Sequence, residues 1–299
     1  MSPLPPIGIT CGDPAGIGPE IAAKALADPR VLAVCRPAYY APRDVGRFVP
    51  GQLSADAGRA AVDAIVQAVA DARAGRIAAV VTCPINKEAL ALAGMPWRGH
   101  TDLLAHLTES EFVAMMFYSP RLVVVLATVH VALSEVPRLL TRERLERVVA
   151  LAARELPRFG VARPRLAVAG LNPHAGEHGV MGDEDDRVLR PAIEALSARG
   201  LDVRGPFPAD TLFVRAMKGE FDAVVACYHD QGLIPIKMAA FGSAVNVTLG
   251  LPIIRTSVDH GTAFEIAGKG IADHGSLVEA VLLAAKLAAN EGLGLRAEG

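Results

Sequence analysis

The chain is poor in aromatic residues, 5% with a single Trp, and holds only four cysteines among 299 residues. Cys11, Cys35, Cys83 and Cys227 are scattered without a C-x-x-C pair, which argues against a disulfide framework and a structural zinc ribbon. They read as small core hydrophobes. Long hydrophobic runs are also missing: a stretch such as Leu122 to Leu133 is about a dozen residues, broken by Thr128 and His130, well short of the ~20 needed to cross a bilayer. The opening Met1-Ser2-Pro3-Leu4-Pro5-Pro6 has neither the basic nor the apolar region of a secretory signal, so the expected location is the cytoplasm. Charge of one sign is not in excess either. Thirty basic against 32 acidic residues leave a net −2, too balanced for a chain whose main partner is nucleic acid or an acidic membrane surface.

What is abundant is Ala, Val, Leu and Ile within a hydrophobic share of 52%, as expected when buried strands are covered by helices. The length allows one large domain or two of ordinary size. Short β-branched runs alternate with longer Ala- and Leu-rich stretches at helical spacing, the pattern of parallel α/β units. Strands are expected at Ile7–Thr10, Ala78–Thr82, Leu122–Thr128, Leu166–Gly170 and Ala223–Ala226. Helices are expected at Gly18–Ala27, Gln52–Ala74, Arg142–Arg158, Asp186–Arg199 and Ser276–Asn290, with a frayed Gly-rich tail from Glu291. Arg36–Pro50, with its three prolines, reads as a surface loop.

Three histidines share one local position: His130, His174 and His229 each follow an apolar strand and a few polar or turn residues. Ligands of open parallel sheets bind outside the carboxyl ends of strands, so these side chains can converge on one crevice. Any single one is more often a surface or satisfied core group; three in equivalent positions point to a divalent cation with open coordination positions. Beyond His229, Lys237, Asn246 and Arg255 suggest an anionic substrate, Arg being able to fork around phosphate or carboxylate oxygens. Asp210 and Asp230 can orient ligands or shuttle protons, and Asp210 can equally cap a helix. His100-Thr101 sits in a turn. Lys87 is either a further catalytic or cofactor group or a surface lysine at a helix start.

The cluster Gly12-Asp13-Pro14-Ala15-Gly16-Ile17-Gly18-Pro19 follows a strand and opens a helix, so its N–H groups are placed to receive an anion. It is not the dinucleotide fingerprint, since Ile21 stands where the last glycine belongs. Gly268-Lys269-Gly270-Ile271 lacks the Ser or Thr of a Walker A motif, which excludes a nucleotide triphosphatase of that type.

Taken together, Gly12–Glu20, Gly99-His100-Thr101, Gly170–His178, Pro208–Phe213, Tyr228–Met238 and Asn246–Phe264 resemble the 4-hydroxythreonine-4-phosphate dehydrogenase family of pyridoxal phosphate biosynthesis. The resemblance implies two α/β/α domains with a cleft between them, as in isocitrate and isopropylmalate dehydrogenases. A cofactor-side domain would take residues 1–100 plus 245–299, and a metal, substrate and dimerisation domain residues 101–244. It implies a homodimer with a shared active site, His130, His174 and His229 as metal ligands across the dimer interface, and His100, Thr101, Lys237, Asn246 and Arg255 as substrate contacts. His260, Gly261, Thr262, Ala263 and Asp273 would lie in the loop that holds the adenosine end of NAD or NADP, and the divalent metal would be zinc, magnesium or cobalt. The implied reaction oxidises and decarboxylates 4-phosphooxy-L-threonine to 3-amino-2-oxopropyl phosphate. Compared with the family, Arg30–Gln52 is compressed, which leaves threonate or erythronate 4-phosphate, or a diol, as alternative substrates. From residues alone a metal-dependent lyase or hydrolase without nicotinamide also stays open.

Overall fold

The computed structural model describes residues 3–297. By its internal contacts the chain divides into two compact units, one made of the residues up to Val113 together with those from Val245 onward, the other of Ala114–Ala244. The first unit starts with β1 (Pro6–Thr10), α1 (Gly18–Leu26), α2 (Pro29–Val34), β2 (Arg36–Tyr40), α3 (Ala55–Arg73), β3 (Ala79–Thr82), α4 (Lys87–Leu92) and α5 (His100–Leu107). The second follows with β4 (Ala114–Tyr118), β5 (Val123–Leu126), α6 (Val136–Leu139), α7 (Arg142–Glu155), β6 (Leu166–Ala169), α8 (Arg190–Ala198), β7 (Val203–Phe207), α9 (Ala209–Met217), β8 (Ala223–Ala226) and α10 (His229–Ala240). The chain returns to the first unit with β9 (Val245–Leu249), β10 (Ile254–Ser257) and α11 (Gly275–Ala297).

Strand order in the first unit is β2-β1-β3-β10-β9, parallel except for β9. In the second it is β4-β5-β8-β6-β7, parallel except for the β4–β5 hairpin. Their central strands are buried on both faces, which is why they read as continuous apolar runs. One face of the first sheet packs Val80 against Val62, Ile65, Leu90, Leu103 and Leu104 of α3, α4 and α5. On the opposite face Thr256 donates from Oγ1 to the Ala280 carbonyl of α11 at 2.8 Å. In the second unit α9 and α10 place Leu212, Phe213, Leu233 and Ile236 on Val124, Leu126, Val224 and Ala226. Among the described residues no helix is long and apolar enough to cross a membrane.

Helix ends follow local chemistry rather than the onset of apolar spacing. Ser54 accepts the Ala57 N–H at 3.1 Å, so α3 begins at Ala55 and not at Gln52. The expected helix over Arg142–Arg158 ends at Glu155 and finishes as a 3-10 turn through Phe159. The one from Asp186 opens as a π-helical turn, Asp185–Leu189, before α8. The expectation of a loop over Arg36–Pro50 is overturned for its first part. Arg36–Tyr40 is an edge strand parallel to β1, where Pro37 is tolerated, and Tyr40 is buried with its hydroxyl donating to Asp71 at 2.6 Å. The tail expected to fray from Glu291 continues the backbone of α11 to Ala297, and beyond that lies outside the described residues.

Gly58 gives the fold a sharp test. Replacing a mid-helix glycine by alanine ordinarily stabilises, but a Cβ here would stand 2.3 Å from the Ala89 carbonyl oxygen of α4. Gly58→Ala is therefore expected to destabilise, by ~1–3 kcal/mol in chemical unfolding, where an unobstructed helix would gain ~0.5–1 kcal/mol.

Candidate functional site

In the first unit, adjacent strands bring four polar side chains into one row. Thr10 pairs in register with Thr82, Thr82 with Ser257, and Ser257 with Asn246. Residues directly opposite on paired strands share a face, so a polar band crosses β1, β3, β10 and β9 near the carboxyl ends of the parallel strands. Thr256 points to α11, which puts its neighbours Arg255 and Ser257 on the other face. Arg255 is 2% exposed and has no acidic partner among the described residues; its Nη1 donates to Thr248 Oγ1 at 2.9 Å and its Nη2 to Thr82 Oγ1 at 2.7 Å. Burial pulls the guanidinium down to about 9, which leaves it charged at neutral pH.

Six buried side-chain nitrogen or oxygen atoms have no partner among the described residues: Thr10 Oγ1, Asp13 Oδ2, His100 Nε2, Asn246 Oδ1, Arg255 Nε and His260 Nε2. All belong to the first unit. Buried polar groups are normally satisfied, so these atoms are available to a polar ligand or to ordered water. His100, at the start of α5, reaches the Cys83 backbone, and burial together with the charge of Arg255 holds its imidazole well below the usual range. Thr101 follows it on α5. Asp13 is buried, its carboxyl pushed up by that burial. Thr82, Thr248 and Asp13 were not singled out as site residues by sequence reasoning; the strand register, which no local pattern displays, is the signal that finds the two threonines.

The glycine cluster does other work than expected. The N–H groups of Asp13, Ala15, Gly16 and Ile17 are taken by Pro84 O, Asp13 Oδ1, Asp13 O and Thr262 O. A Cβ on Gly18 would lie 1.9 Å from Cys11 O, and one on Gly16 3.0 Å from Thr262. The loop is thus a junction of close backbone contacts, and these four donors are not free for an anion. It supports the segment with His260, Gly261, Thr262 and Ala263, which is clamped further along by α1: Glu20 accepts the Gly270 and Ala272 N–H groups, and Lys24 donates to their carbonyls. Asp273 caps α11 through the Gly275 N–H at 2.9 Å. His260 turns its Nδ1 to Gly261 O at 3.0 Å. Lys87 is exposed at the start of α4, its Cε 4.0 Å from where a Cβ on Gly99 would stand.

In the second unit β5, β8 and β6 are parallel neighbours, and His130, His229 and His174 follow their carboxyl ends. His130 and His229 have ring centroids 5.4 Å apart and line a cavity of about 230 Å³ with Tyr228, Asp230, Val131 and Leu133. Asp230 Oδ1 lies 2.7 Å from His229 Nδ1, which leaves Nε2 of that ring for another partner. This pairing is the arrangement by which carboxylates orient metal-binding imidazoles, so His229 and the neighbouring His130 are residues that could hold an ion. Among the described residues of the single chain no group of three His, Cys, Asp or Glu is placed to hold a metal. His174 lies on the loop after β6, which Gln231 ties to β8: Nε2 donates to Gly170 O at 2.7 Å and Oε1 accepts the Cys227 N–H at 2.6 Å. Asp210 is exposed in the first turn of α9, whose cap position is Pro208, so it does not cap that helix. Lys237 is half-buried on α10 without an ion pair among the described residues.

His100 predicts a pH dependence of its own. Its imidazole is depressed in the folded state, so on acidification below about 6.5 the unfolded chain takes up a proton that the native chain does not. This contribution to stability is complete at neutral pH and lost as pH falls. His100→Gln is expected to lose less stability than the parent between about pH 7.5 and about pH 5 in denaturant titrations; equal losses would refute the buried neutral imidazole.

The model of the family described as "Pyridoxal phosphate biosynthetic protein PdxA" matches residues 20–284. A 4-hydroxythreonine-4-phosphate dehydrogenase of Desulfosudis oleivorans is 48% identical, covering 97% of this chain and 98% of the relative. A D-threonate 4-phosphate dehydrogenase of Cupriavidus necator is 46% identical over 95% and 98%. The crystal structure of a 4-hydroxythreonine-4-phosphate dehydrogenase from Klebsiella pneumoniae superposes with a TM-score of 0.87 at 41% identity, over 96% of this chain and 99% of that one. Isocitrate dehydrogenase of Methylococcus capsulatus, 19% identical with a TM-score of 0.52, shares the fold. With a family match over most of its length and relatives named as dehydrogenases at more than 40% identity, the chain belongs to the PdxA family and is a dehydrogenase of that type.

Proposed function

We propose that the protein oxidises and decarboxylates 4-phosphooxy-L-threonine to 3-amino-2-oxopropyl phosphate, with NAD or NADP as hydride acceptor and a divalent metal (zinc, magnesium or cobalt) as Lewis acid. The observation that carries this reading is Arg255: a buried guanidinium with no carboxylate partner and an unpartnered Nε among the described residues, beside His100 and on the sheet face of the polar band that ends at Asn246. A fixed cation in a dry setting recognises an anion strongly, and relatives named for phosphorylated hydroxy acids supply the class. In this assignment Arg255, Asn246, His100, Thr101 and Lys237 hold the polar and charged parts of the substrate. A bound nicotinamide supplies the hydride acceptor and a bound divalent ion the Lewis acid that favours loss of hydride and then of carbon dioxide. The unit containing Arg255 also carries the segment assigned to the cofactor, with His260, Gly261, Thr262, Ala263 and Asp273. His130, His229 and His174 hold the metal, with Asp230 orienting His229 and with Asp210 and Lys87 as the assigned groups for proton transfer.

The metal set is completed across a homodimer. Its support is an unpartnered apolar face on α10 and its cap, the helix that starts at His229: Ile234, Met238 and Phe241 are 60%, 84% and 84% exposed at helical spacing. A cytoplasmic location agrees with four buried free cysteines. Because a D-threonate 4-phosphate dehydrogenase is nearly as similar as the 4-hydroxythreonine-4-phosphate enzyme, threonate 4-phosphate is the second substrate to test.

Both substrates, with each nicotinamide and each metal, can be compared by the absorbance of the reduced cofactor. Turnover of the aminated substrate is expected to exceed that of threonate 4-phosphate; the reverse order transfers the assignment, and turnover without nicotinamide abolishes it. Arg255→Lys should lower kcat/KM about tenfold or more, ~1–3 kcal/mol, on the phosphorylated substrate and much less on an unphosphorylated analogue. Phe241→Asp is expected to shift sedimentation toward monomer with loss of activity, and a fully active monomer would contradict the shared site.

A further inference from the structure

We propose that Asp185 is a positioning residue that holds the loop carrying His174 in a left-handed turn and so fixes where that imidazole is presented, an inference resting on the reading of His174 as a metal ligand. Six consecutive residues, His174, Ala175, Gly176, Glu177, His178 and Gly179, have positive φ, at 52°, 54°, 78°, 44°, 55° and 89°. In L-residues this conformation crowds Cβ against the following carbonyl, and non-glycine residues visit it singly rather than in runs. Only two of the six are glycine. Such a segment persists when its surroundings over-determine it, and runs of this kind cluster at functional sites.

Asp185 supplies that constraint. It is 0% exposed, and its Oδ1 accepts the Leu171 N–H at 2.9 Å while Oδ2 accepts the Asn172 N–H and Nδ2, both at 3.0 Å. Glu184 takes the same Asn172 amide at 2.8 Å. No cation pairs with the Asp185 carboxylate among the described residues, so its bonds all go to the loop. The backbone closes tightly over it: a Cβ on Gly170 would be 3.0 Å from Asp185 Oδ1, and one on Gly176 3.3 Å from Asp185 Cβ. On its other side Asp185 opens the π-helical turn that runs into α8, where Leu189, Ala192, Ile193 and Leu196 are buried. The anchor is therefore mounted on a packed helix, and the strained turn follows a stretch held twice as it leaves β6, by Gln231 at the Gly170 carbonyl and by Asp185 at the Leu171 and Asn172 N–H groups.

The test uses cobalt(II) as probe on Asp185→Asn, Asn172→Ala and His174→Ala. In metal-free protein Asp185→Asn is expected to speed hydrogen exchange of the amides of Leu171, Asn172 and the turn at least tenfold, leaving the amides of β5 and β8 unchanged. Its cobalt affinity, read from the absorption of the bound ion, should fall 10- to 100-fold, as when a group that orients a ligand is lost. Asn172→Ala keeps both backbone bonds to Asp185 and should shift both readouts the same way by less; it carries the test if Asp185→Asn does not fold. A cobalt affinity that falls in His174→Ala but stays within twofold in Asp185→Asn overturns the positioning role alone. Unchanged affinity in His174→Ala overturns the ligand reading itself.

Discussion

The first unit is organised around a positive charge kept out of water. Arg255 lies in the middle of β10, and neutral hydroxyls of Thr248 and Thr82 hold it where an acidic side chain would satisfy it better. A buried carboxylate partner would neutralise the charge and spend its attraction within the protein. Leaving the guanidinium unpaired costs stability, since a buried charge without a counter-charge is unfavourable, but it keeps the field directed at whatever anion enters. The imidazole of His100 is depressed first by its own burial and then by the nearby charge of Arg255, beside which a second positive charge is disfavoured. Within the polar band from Thr10 to Asn246, Thr82 solvates the cation in place of water, while Thr10 Oγ1 and Asn246 Oδ1 have no partner among the described residues.

The second unit places its chemistry at strand ends, where parallel neighbours deliver successive loops to the same edge. His130 and His229 come within ring contact because β5 and β8 are adjacent, and neither loop needs to be long. Strain is concentrated here: His130 itself has φ 47°, and in the turn after β6 the residues from His174 to Gly179 all have positive φ. Rigid strands and the bonds of Cys227, Gln231 and Asp185 to Ala169, Gly170 and Leu171 hold the chain where it leaves β6.

Much of this was readable from sequence, and the failures are instructive. The apolar runs of β1, β3, β6 and β8 lie where their composition put them, because strands buried on both faces leave a strong signal. β2 escaped notice because an edge strand needs only one partner and tolerates Pro37, so its composition is that of a loop. The glycine cluster was legible as a tight strand-to-helix junction but not in its purpose. Whether four N–H groups face solvent or Pro84, Thr262 and the loop's own Asp13 depends on segments far away in sequence.

The sequence by itself determined the α/β class, the strand ends after which the three histidines stand, the family, and the residue types available to an anion and a cation. It did so because periodicity and local motifs are properties of neighbouring residues. Only the tertiary structure decided that Thr10, Thr82, Ser257 and Asn246 form one row, that Arg255 has no carboxylate partner among the described residues, and that Asp185 reaches back over more than ten residues to the His174 loop. Those facts depend on strand register and on backbone closure over a buried group, and both are fixed by packing between segments that carry no mark of each other in the linear chain.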